Sequence, residues 1–165
     1  AALLLVALGH QGPLVSAARR YADNCQNIHE VQVAFGGWVR DHLAAAAVIA
    51  VNDAGAIRYV APQHSLDLLG LNSADVLFGR PALCEVAADA DRMADWLLAR
   101  GVETMIVFPT LFPAVAEHRR SGARFTEVQR FTSANYTIAD PRSGQATMVA
   151  YRVLPRTEVM PSPVR

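Results

Sequence analysis

Residues 89–131 constrain this chain most, because they read as helix, strand, helix and strand with almost no linker between them. Behind Asp89, Met93, Trp96 and Leu97 recur at helical spacing, and Gly101 closes that helix with the left-handed geometry glycine tolerates best. Residues 102–109 follow as a buried strand. Residues 111–120 read as a short helix with Thr110 as its N-cap, closed by Ser121-Gly122, and residues 125–131 return as a strand. Helices of this kind must bury an apolar stripe against a sheet, so the expected class is α/β.

Composition narrows what such a chain can do. With 165 residues, 52% of them hydrophobic, there is material for one core, and residues 1–154 are expected to form one domain. Residues 155–165 hold three prolines and little to bury, which predicts a flexible tail. Fifteen basic and fifteen acidic side chains give a formal net charge of +0, so nothing draws the chain generally toward nucleic acid or an anionic membrane. All fifteen basic residues are arginine, which removes lysine Schiff-base and phosphate-loop lysine chemistry. Cys25 and Cys84 form no disulfide framework and no Cys-x-x-Cys pair, which points to a reducing cytoplasm. Residues 1–8 are apolar but short, lack a basic leader and run into Gly9-His10-Gln11-Gly12-Pro13; a buried strand is expected there in preference to a signal or anchor.

Toward the front, Leu14, Ala17, Ala18, Tyr21, Ala22 and Cys25 mark one face of a helix expected to end near Asn24 or Asn27. Residues 31–35 suggest a short strand and residues 38–47 a helix. Residues 48–51 and 57–60 flank Asn52-Asp53-Ala54-Gly55-Ala56, whose residues suit a tight connection, and together they read as a β-hairpin. Residues 66–70 suggest a helical turn, residues 75–78 and 82–86 strands. Residues 147–154 make a final strand with Val149, Tyr151 and Val153 on one face.

Two short segments carry a family resemblance. Leu98-Ala99-Arg100-Gly101 leads into a strand at 102–108, and residues 114–120 lead through Ser121-Gly122-Ala123-Arg124-Phe125 into another. This arrangement resembles the GNAT family of N-acetyltransferases over residues 31–154, which implies an α/β (α+β) fold with a mixed, mostly antiparallel central sheet flanked by helices. The resemblance implies transfer of an acyl group from acetyl-CoA or another acyl-CoA to a small-molecule amine. It aligns His118 with the family's thiolate-protonating tyrosine, a task an imidazole titrating near neutrality can perform. His118 also shares a helical face with Leu111, Ala114 and Val115, and packing alone accounts for that.

The cofactor pyrophosphate would be met by main-chain N–H groups at Glu85, Val86, Ala87 and Ala88, where the family carries closely spaced glycines. Asp89 and Asp91 suit an ordinary acidic helix start. A second resemblance, to PAS sensor domains, rests on residues 55–60, Leu68-Leu69-Gly70, Gly79-Arg80-Pro81 and Asp91-Arg92, and implies a non-catalytic ligand-binding module instead. A Rossmann-like start at residues 3–9 lacks the dinucleotide glycine pattern. His10, His29, His42 and His64 show no metal-ligand spacing, Ser16 and Ser65 sit in no nucleophile elbow, and Asp53 beside a turn glycine needs no catalytic explanation. No metal is expected, and a homodimer is left open.

Overall fold

A computed structural model describes residues 11–117, 124–134 and 146–156. One continuous helical run opens it: α1 (Gln11–Ile28), a single π-helical stretch (His29–Val33) and α2 (Ala34–His42). There follow β1 (Val48–Val51), α3 (Ala54–Val60), β2 (His64–Asp67), α4 (Ala74–Phe78), α5 (Leu83–Val86), α6 (Ala90–Leu98) and β3 (Val102–Val107). A 3₁₀ turn (Pro109–Leu111), α7 (Pro113–Glu117), β4 (Phe125–Ser133) and β5 (Ala146–Val153) complete the described chain.

The five strands form one mixed sheet in the order β2-β1-β3-β5-β4, with helices packed on it, in keeping with the expected α/β class. β1 pairs in parallel with both β2 and β3. β5 runs antiparallel between β3 and β4, and its ladder with β4 is the longest in the sheet. Alternation along the strands divides the core. Ala50, Met105, Val107, Val149 and Tyr151 face α6 on one side, while Ile49, Val51, Ile106, Met148 and Ala150 face α2, α3 and the π-helical stretch on the other.

The region from α6 to β4 forms as its sequence dictates. Asp89 caps α6 by accepting hydrogen bonds from the N–H groups of Asp91 and Arg92 at 2.9 and 3.1 Å. Met93, Trp96 and Leu97 are buried, and Gly101 ends the turn at φ +72°. The second helix starts later than expected, because Pro109–Leu111 winds as 3₁₀ and α7 begins only at Pro113.

Earlier segments require correction. Residues 57–60 do not return as a strand against β1; they belong to α3, and β1 instead opens a parallel β1-α3-β2 unit. The physical reason lies in Ala54, Ile57 and Ala61, which are buried at helical spacing while Tyr59 is 92% exposed. A strand would have put Ile57 and Tyr59 on the same face. Residues 31–35 are helical rather than extended, so the first helix runs on past Asn27. Residues 75–78 and 83–86 form α4 and α5, each with a single buried valine facing the core, Val76 and Val86. Leu66 lies in β2 and not in a helical turn. Gly36 is where α2 meets α3, since a Cβ there would stand 2.6 Å from Val60 Cβ. Residues 1–8, the tail from residue 157 and His118 lie outside the described residues.

Candidate functional site

The chain leaves the parallel strands toward opposite faces. After β1 it turns into α3, which packs with Ile49 and Val51; after β3 it turns into α7, whose Val115 packs with Met105 and Val107 on the other side. Adjacent parallel strands that part in this way define a topological switch point, and the crevice outside their carboxyl ends is where open α/β sheets bind ligands.

Local sequence builds the crevice. At the end of β1 the buried side chain of Asn52 takes over from the ladder: its Oδ1 accepts a hydrogen bond from the Phe108 N–H at 2.9 Å. The main-chain bond from Asn52 to Ile106 has by then stretched to 3.4 Å. The strand ends are therefore bridged by a side chain where they begin to separate.

Asp53 follows, half-buried, at the N-cap position of α3, yet its carboxylate makes no capping bond. It accepts a hydrogen bond from Gln32 Nε2 at 2.9 Å instead. Gln32 is 3% exposed and sits in the π-helical stretch, whose widened turn brings it inward beside Val31. The same stretch supplies Glu30, which accepts from Gln26 Nε2 at 2.6 Å and from the hydroxyl of Ser133 at the carboxyl end of β4. These bonds, the Ser133 hydroxyl first, hold the Glu30 carboxyl below the ordinary glutamate value. Asn27, at the end of α1, is fully buried as well.

The residues singled out from sequence lie elsewhere. Glu85 and Ala88 are exposed, Ala87 is half-buried and Val86 is in the core. The N–H groups of Glu85 and Ala87 are bonded to the carbonyls of Ala82 and Leu83, and Glu85 pairs with Arg80 at 3.0 Å. Two N–H groups at the start of α6 are satisfied by Asp89. His118 lies outside the described residues.

Surface cavities lined by described residues lie away from Asp53 and Gln32. One of about 370 Å³ lies at the amino ends of β1 and β3, between Leu43 and Glu103, and one of about 450 Å³ lies beside His64, Ser73 and Arg100. A third, about 370 Å³, is framed by Arg80, Arg92 and Arg100, with the Arg100 guanidinium stacked 3.8 Å above the Trp96 ring. Among the described residues no group of three or more His, Cys, Asp or Glu could hold a metal ion, and no helix is long and apolar enough to cross a membrane.

Gln32, Asn52 and Asp53 were not singled out from the sequence as site residues. A signal existed: Gln32 is the one polar residue in the run Val31-Gln32-Val33-Ala34-Phe35, and Asn52-Asp53 directly follows an apolar strand.

The site thus belongs to a mixed α/β domain with a topological switch point between β1 and β3. Residues 26–153 match the family described as a domain of unknown function, DUF8728, and the chain belongs to that family. Neither a curated protein nor a solved structure matches the chain.

Proposed function

We propose that this protein is a small-molecule-binding α/β module whose ligand occupies the crevice at the carboxyl ends of β1 and β3. One observation carries the reading: the two strands part at Asn52 and Phe108 with half-buried Asp53 at the opening, and their following helices go to opposite faces. Acyl transfer to a bound amine is the second reading. It is supported by the α6-β3-α7-β4 succession on which the GNAT resemblance rests, and opposed by Asp89 filling the helix start where a phosphate would sit.

The test is amide chemical-shift mapping of the labelled protein with mixtures of small metabolites, coenzyme A among them. Shifts are expected at Asp53, Ala54, Phe108 and Thr110. Shifts confined to the amino-edge cavity or to the arginine-framed one would overturn the reading, and coenzyme A shifts centred on Glu85, Val86, Ala87 and Ala88 would favour acyl transfer.

A further inference from the structure

We propose that the crevice takes a cationic amine, with Asp53 and Gln32 as its recognition pair; this rests on the binding reading above. A carboxylate only accepts hydrogen bonds, so the Gln32 amide atom that faces Asp53 must be its nitrogen. That fixes Gln32 Oε1 as the other arm of the same amide. Oε1 is buried and has no hydrogen-bond partner among the described residues, an arrangement proteins seldom leave unmet.

Asp53 has charge to offer. It does not cap α3, and among the described residues its one hydrogen bond comes from the neutral Gln32 amide and no arginine or histidine pairs with it. Glu30, two residues before Gln32, points to another side of the helical run and is engaged by the Ser133 hydroxyl of β4 and the Gln26 amide, which leaves Asp53 as the carboxylate of the pair. The set presents acceptors and negative charge, which repels phosphates and carboxylates. A primary ammonium, with three N–H donors, can bridge the Asp53 carboxylate and Gln32 Oε1 at once.

The experiment is calorimetry and thermal melting of the full chain with putrescine and agmatine, against glycerol, acetate and inorganic phosphate, at millimolar concentration. The amines are expected to raise the melting temperature, and Asp53→Asn, which can keep an amide bond to Gln32, is expected to weaken their binding at least about tenfold. Perturbation of the Gln32 side-chain NH₂ resonance by putrescine checks the contact without any variant. If acetate or phosphate binds at Asp53 and the amines do not, the crevice remains a ligand site and the amine assignment falls. Amine binding that is equal in the parent and in Asp53→Asn, with the Gln32 resonance unmoved, also overturns the assignment. Should no probe bind and the metabolite mixtures leave the crevice amides unshifted, both proposals fail together.

Discussion

Helices α1 and α6 are both amphipathic, and they meet opposite fates. On α6, Met93, Trp96 and Leu97 are buried against the sheet, the N-terminus is capped by Asp89 and the C-terminus is closed at Gly101. On α1, Leu14, Ala18, Tyr21, Cys25 and Ile28 follow one another at intervals of four and three residues, an equally good stripe, yet every residue from Gly12 to Gln26 is exposed. Leu14 is 71% and Tyr21 73% exposed, and the first turn of α1 holds no acidic residue to complement the helix dipole. Periodicity specifies that a face can be buried. What buries it is decided by chain connectivity: α6 lies within the chain that joins β2 to β3, with residues 99–101 alone between it and β3, whereas α1 enters the body only at its last turn, through Asn27 and the π-helical stretch.

The largest expected effect tests the buried member of this pair. Trp96 is 4% exposed, donates its Nε1–H to the Pro81 carbonyl at 3.0 Å and carries the Arg100 guanidinium on its ring. Trp96→Ala should lower stability by about 3–5 kcal/mol in a denaturant melt. A loss under about 1 kcal/mol would mean that α6 is held by its caps and not by its face.

The same contrast explains how much was legible beforehand. The α6-β3 segment and β5 could be read residue by residue, because capping, periodicity and termination agree there; Val149, Tyr151 and Val153 do share one face of the core. The β1-α3-β2 unit could not. Its strands are four residues long, and Asn52-Asp53-Ala54-Gly55 suits a tight hairpin as well as a helix start, so local chemistry left the choice to tertiary packing. The crevice was illegible for a related reason. Gln32 and Asp53 lie 21 positions apart and acquire meaning only when the π-helical turn and a parallel strand bring them to 2.9 Å.

A smaller effect is expected where α1 joins the body. The lowered pKa of Glu30 means that its contribution to stability is present above the unfolded glutamate value and is lost as pH falls through the folded one. Ser133→Ala removes the first cause of that lowering. Melting temperatures of the parent and the variant, followed from about pH 7 down to about pH 3, should therefore converge as the carboxyl becomes protonated. A gap that stays constant across the range would show that Ser133 acts through packing alone.

The smallest effect belongs to the exposed member. Leu14 and Tyr21 touch solvent over most of their surface, so replacing both with serine removes little that folding buried. Intrinsic helix propensity falls slightly, and Ser16 already bonds back to the Pro13 carbonyl at 2.9 Å, so some fraying of the first turns is expected. The global unfolding free energy of the double variant should stay within about 0.5 kcal/mol of the parent, measured in dilute solution by urea titration. The contrast with Trp96→Ala is then at least about sixfold for side chains of similar apolar character. If the double variant instead loses more than about 1 kcal/mol, the stripe on α1 is covered in solution. Repeating the titration at higher protein concentration would then separate the two ways of covering it. A loss that grows with concentration marks contact between chains, and one that does not marks contact within a chain.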